Sequence, residues 1–118
     1  MSGNSLSRKM AVIGATALAA LVVTTGPATA ASSWCRIVVS SCKTGTIAPS
    51  SNHEIHIEAR GNNICAGGWK VFDTGNGAQV GSGVVALGQV VTKTIPGLYG
   101  RYYLKITGCL GHTGTIKN

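Results

Sequence analysis

Three carboxylates, three histidines and four cysteines carry most of the acid–base, metal and thiol chemistry open to this 118-residue chain. Glu54, His56 and Glu58 alternate with Ile55 and Ile57, so they share one face of one strand. Residues two apart on a strand stand about 6.7 Å apart, too far for a pair to chelate without a third ligand from elsewhere. The cysteines, at 35, 42, 65 and 109, include no Cys-x-x-Cys pair of the zinc kind. No metal site and no cofactor is expected. Ser82 lies in Gly81-Ser82-Gly83, which reads as a turn and not as a nucleophile elbow. Glu54 and Glu58 would stand about 13 Å apart on an extended strand. An inverting glycosidase needs roughly 6.5–9.5 Å. Gly75-Asn76-Gly77 opens no helix and so is no phosphate loop. No catalytic residue is assigned, and the chain is not expected to be an enzyme.

Before any element can position these residues, the first thirty must be set aside. Arg8 and Lys9 precede an apolar run from Met10 to Thr25, and Gly26-Pro27 then leads to the small-x-small site Ala28-Thr29-Ala30. This is the pattern of a cleaved secretory signal over residues 1–30, of bacterial character in its Ala-rich run. The run is 16 residues long, short of the ~20 that span a bilayer. Residues 31–118 are then a single secreted, extracellular domain with no integral membrane span. They hold eight basic and three acidic residues, a net charge of +5, and all four cysteines. So small a chain buries a modest core, and an even cysteine count in an exported protein points to two disulfides.

The remainder reads as strands and turns. His53 to Ala59 and Arg101 to Thr107 alternate with a period of two. Trp69 to Asp73, the turn Thr74-Gly75-Asn76-Gly77, and Ala78 to Val80 form a hairpin, with Asn76-Gly77 as a type I′ turn. Val84 to Leu87, Val90 to Ile95 and Gly114 to Lys117 are further short runs, and Arg36 to Val39 is a candidate first strand. In Val90 to Ile95, placing Val91 and Ile95 inside would also bury Lys93, a conflict that a bulge would resolve. About seven short strands with regular turn signals indicate an all-β fold, a small antiparallel β-sandwich. Ile95 to Ile106, IPGLYGRYYLKI, resembles the late strand pair of immunoglobulin-like and prealbumin-like sandwiches. The resemblance implies a fold and no function. Small secreted α-amylase inhibitors are also four-cysteine sandwiches, but this chain lacks their Trp-Arg-Tyr run.

In such a sandwich the loops carrying Cys65 and Cys109 share one end, which pairs Cys65 with Cys109 and leaves Cys35 with Cys42. A straight strand would hold Cys35 and Cys42 about 23 Å apart, so the segment between them must bend. The third and sixth strands lie side by side, flanked by the last. With Trp69, Val71, Tyr102, Leu104 and Ile106 inward, Lys70, Phe72, Arg101, Tyr103 and Lys105 face out, and Lys117 is placed beside them. That is a basic, aromatic face suited to anionic polymers: anionic polysaccharide, cell-wall polyanions or lipid headgroups. Nucleic acid is not the expected partner. The function expected is a secreted, non-enzymatic binding or interaction domain. The alternative is a secreted antagonist, an antimicrobial protein or an inhibitor of an extracellular enzyme, whose partner is another extracellular protein. The export reading has a direct check. The intact mass of the exported protein should equal that of residues 31–118 less four hydrogens, and retention of residues 1–30 or a free-thiol titre would refute it.

Overall fold

The structure, a computed structural model, describes residues 30–118, so the export signal read over residues 1–30 lies outside the described residues but for Ala30. Eight strands follow one another: β1 (Ser32–Arg36), β2 (Ser41–Lys43), β3 (Ile55–Arg60), β4 (Gly67–Asp73), β5 (Gln79–Val85), β6 (Val90–Ile95), β7 (Tyr102–Thr107) and β8 (Thr113–Lys117). They form two antiparallel four-stranded sheets, one in the order β1-β8-β3-β6 and the other β2-β7-β4-β5. The fold is the all-β sandwich that the alternation indicates.

One row of inward side chains per strand makes the core. Ile55, Ile57 and Ala59 of β3 and Ile116 of β8 meet Trp69 and Val71 of β4 and Tyr102, Leu104 and Ile106 of β7, all buried. The Tyr102 hydroxyl accepts the backbone N–H groups of Tyr99 (3.1 Å) and Gly100 (3.0 Å), which fixes the start of β7. Gly81-Ser82-Gly83 is not the expected turn but the middle of β5, so the two runs expected over Ala78 to Val80 and Val84 to Leu87 are joined in one continuous strand, Gln79–Val85, with Ala78, Ala86 and Leu87 outside it. The reason lies in Trp69, which pairs with Gly83. A Cβ at Gly83 would stand 2.5 Å from the indole Nε1, and one at Gly81 would stand 3.3 Å from the indole Cζ3. Gly83 thus gives up a side chain to the Trp69 ring, and Gly81 gives one up chiefly to Ile95, whose Cδ1 would stand 2.8 Å from a Cβ there.

Several local expectations are corrected. The β4–β5 hairpin exists, but its turn is not type I′: Gly77 has φ +74°, whereas Asn76 is not among the residues with positive φ. Instead Gly77 N–H donates to Asp73 O at 2.8 Å, the Asp73 carboxylate accepts Gly75 N–H at 2.7 Å, and the Asn76 amide oxygen accepts Ala78 N–H at 2.8 Å. The bulge expected in β6 is absent, since its register with β3 is unbroken from Ile55↔Ile95 to Arg60↔Val90. β6 is an edge strand, so Lys93 points to the inner side yet is exposed past the open edge. An inward charge on an edge also discourages pairing with another chain. The irregularity falls in β5 instead, where Val80 is passed over between Val71↔Gly81 and Phe72↔Gln79.

Arg36 to Val39 is not a strand. The chain leaves β1 at Arg36, crosses between the sheets through Ile37–Ser40, and enters β2. This is the bend that Cys35–Cys42 requires, and the disulfide forms with the Cα atoms 5.9 Å apart. Cys65–Cys109 also forms, with Cα atoms 6.1 Å apart, tying the β3–β4 loop to the β7–β8 loop. Two disulfides fit a protein that matures in an oxidising, extracellular compartment. The last strand does not flank β7. Gly108 (φ +148°) and Gly111 (φ +98°) carry the chain across to the other sheet, where β8 lies between β1 and β3.

Beneath this crossover His112 is fully buried. Its Nε2 lies 2.9 Å from Cys65 O and 3.1 Å from Asn62 Oδ1, while Nδ1 has no partner. The ring rests against Gly67 and Gly108, where a Cβ would stand 2.7 and 2.9 Å from it. The glycine rule for β5 is testable. Gly83→Ala should cost about 1–3 kcal/mol by overpacking against Trp69. Ser82→Ala, one residue away and facing out, should stay within about 0.5 kcal/mol by chemical denaturation.

Candidate functional site

The outer face of the sheet β2-β7-β4-β5 carries three lysines and two aromatic side chains on adjacent strands. Its register sets Lys43 of β2 opposite Lys105 of β7, and Lys105 opposite Lys70 of β4. Neighbouring strands lie about 4.8 Å apart. Three lysines therefore stand abreast in one row, continued on β5 by Ser82. One step along, Phe72 of β4 pairs with Tyr103 of β7, and the rings stack with centroids 5.4 Å apart and planes inclined by 28°. Lys43 Nζ lies 5.3 Å from the Tyr103 ring centroid, within cation–π range. The row and the ring pair form one continuous surface.

Of the five residues that alternation places outward, four are brought together as two directly opposed pairs, Lys70 with Lys105 and Phe72 with Tyr103. Arg101 precedes β7 at the far end of the face. Its guanidinium donates to Thr46 O at 3.1 Å and to Thr46 Oγ1 at 3.4 Å, which ties it to the preceding loop. Lys117 does not join the face, because β8 runs in the other sheet, where Lys117 pairs with His56. Lys43 is the member that alternation alone did not reveal. The signal was in Cys42: a cysteine bridged toward the core leaves the residue after it facing out.

Like charges directly opposite one another on a sheet are unfavourable, so a triple row needs a reason or a compensating anion. No carboxylate lies in it. Glu54 precedes β3, Glu58 is within β3, and Asp73 closes β4 with its carboxylate on Gly75 N–H. Among the described residues the ion pair is Arg60–Glu58, at 2.7 Å, on the opposite sheet. That sheet also bears a shallow cleft of ≈ 330 Å³ lined by His56, Glu58, Thr92, Lys93, Thr94 and Lys117. His56 Nδ1 is already bonded to Thr94 Oγ1 at 2.8 Å, and the cleft mixes both signs of charge. It is a groove between strands and gathers no convergent set of groups. Among the described residues, no group of three or more His, Cys, Asp or Glu could hold a metal ion.

Comparison with protein-family models, with curated proteins and with solved structures found no match. The reading of the site therefore rests on its geometry. If the lysine row is retained at a cost in stability, relieving it should stabilise the fold. Lys105→Glu converts both like-charge pairs to opposite pairs and should raise unfolding free energy by about 0.5–1 kcal/mol at low salt. The gain should shrink as salt screens it. A loss of stability would show that the lysines are not in mutual repulsion.

Proposed function

We propose that the chain is a secreted, non-enzymatic binding domain that takes anionic polymers on the outer face of β2-β7-β4-β5. The observation that carries this reading is the row Lys43–Lys105–Lys70 beside the Phe72–Tyr103 pair, with no carboxylate among them. A row of cations on one rigid sheet concentrates potential where the same charges spread evenly would not, and a polyanion crossing it releases its counterions. The half-buried Phe72 and Tyr103 rings supply an apolar platform beside those charges, suited to the faces of sugar rings. The substrate class that fits is an acidic polysaccharide or a wall polyanion whose charges repeat along a chain.

Support comes from placement as well as charge. The face lies on the strands, with positions fixed by the core beneath, so little ordering is needed on binding. The test compares Lys43→Ser, Lys70→Ser and Lys105→Ser together against Arg60→Ser, Lys93→Ser and Lys117→Ser together. Both triples lower net charge equally. Binding to heparin and to isolated wall fragments should fall at least about tenfold only in the first triple, with a flatter dependence on salt. Equal losses would reduce the effect to net charge. No binding by the parent would leave the antagonist reading ahead.

A further inference from the structure

The end of the sandwich that holds both disulfides carries a second surface. Four loops meet there: Ile37–Ser40, Gly61–Ala66, Ala86–Gln89 and Gly108–His112. None contains a Lys, Arg, Asp or Glu. Each instead presents apolar side chains to solvent: Val38 and Val39, Ile64, Leu87, and Leu110, every one at least 53% exposed. Scattered surface apolars need no explanation, but a contiguous exposed cluster marks a docking surface.

These loops are joined into one rigid unit. Ile37 N–H donates to His112 O (2.8 Å), Gly111 N–H to Ile37 O (3.0 Å) and Gly108 N–H to Ser40 O (3.0 Å). Asn62 holds the centre. Its amide oxygen accepts Ile64 N–H (3.0 Å) and Cys65 N–H (3.1 Å), its amide nitrogen donates to Leu110 O (2.6 Å), and its carbonyl accepts Gly88 N–H (2.9 Å). The Cys65–Cys109 bridge clamps two of the loops together, and Cys35–Cys42 closes the base of a third.

The charges around this end are layered. Arg36 and Arg60 close β1 and β3 there and lie either side of Thr113 of β8, on one face of the sandwich. On the other face the end row is Ser41–Thr107–Gly68. The lysine row follows it one strand repeat away, about 6.7 Å. Cations thus stand behind the apolar tips on both faces; Lys43 is turned back over Tyr103, whereas Lys70 and Lys105 have stems long enough to reach toward a nearby interface. Glu54 and Asp73 lie at the opposite end, and Glu58 is paired with Arg60.

We infer that this end docks on an anionic lipid membrane, with Val38, Val39, Ile64, Leu87 and Leu110 entering the headgroup–acyl boundary and the arginines and lysines meeting lipid phosphates. An apolar end backed by cations matches a bilayer whose hydrocarbon lies beneath a negative surface. Among the described residues no helix is long and apolar enough to cross a membrane. The inference shares its lysines with the polyanion reading but rests on the loop end.

The experiment is flotation with phosphatidylcholine vesicles, with and without phosphatidylglycerol, using protein whose N-terminus is set at Ala31 by intact mass. Ile64→Ser with Leu110→Ser, and separately Val38→Ser with Val39→Ser, are compared with the parent, with melting temperature checked for each. The expected result is parent binding to the phosphatidylglycerol vesicles, a loss of at least about tenfold in each loop variant, and unchanged retention on heparin. Retention on heparin without parent flotation would overturn the membrane inference while leaving the polyanion reading intact. Loop variants that float like the parent would overturn it too. So would a parent dimer in sedimentation that the loop variants abolish, because the end would then be an interface between copies.

Discussion

The faces of both sheets follow from one contact, the layer of side chains between them. Ile55, Ile57, Ile116, Val71, Leu104 and Ile106 are buried to 2% exposure or less. In a strand, each inward residue decides which way its neighbours face, and a slip of one position would exchange the two faces. Once Trp69 and Val71 are inside, Lys70 and Phe72 must be outside. Once Leu104 and Ile106 are inside, so must be Tyr103 and Lys105. The antiparallel register then sets those residues side by side. The basic row is therefore not a surface accident that could drift, because moving it would expose the core.

The two disulfides complete that arrangement at one end of the sandwich. Cys35–Cys42 joins an edge strand of one sheet to an edge strand of the other. Cys65–Cys109 closes a loop 44 residues apart in sequence, worth about 4 kcal/mol if its effect is wholly chain entropy. His112 and Asn62 sit beneath it and join the Gly61–Ala66 and Gly108–His112 loops by hydrogen bonds that the strands do not supply. Both covalent links thus act at one end of the molecule, where the four connecting loops carry no charged residue.

Much of this was legible in the chain. Period-two alternation located β3 and β7 to within two residues, the β-branched run Val90 to Ile95 located β6 although its alternation conflicted at Lys93, and the placement of Cys65 and Cys109 after alternating runs gave the pairing. The misses have specific physical causes. Gly81-Ser82-Gly83 looked like punctuation because glycine is ambiguous until a neighbour is known, and the neighbour is the indole of Trp69. Lys93 looked buried because parity says nothing about whether a strand lies at an edge. Lys117 was misplaced because the last strand, expected to flank the sixth, is carried by Gly108 and Gly111 across to the other sheet. The site was legible wherever parity alone decides, at Lys70, Phe72, Tyr103 and Lys105. It was hidden at Lys43, whose strand is only three residues long. The apolar end could not be seen at all, since its residues come from four separated loops.

The central claim is that the lysine row and the ring pair together are where a polyanion lies. Its most direct test is a residue-resolved NMR titration of the domain with a short heparin-derived oligosaccharide. The account predicts that the largest shifts cluster at Lys43, Lys70, Phe72, Tyr103 and Lys105. It also predicts that Trp34, Thr115, Glu58 and Thr92, which form the corresponding row on the opposite sheet, stay near their starting positions. Shifts centred on that opposite row, or spread evenly over both faces, would contradict it.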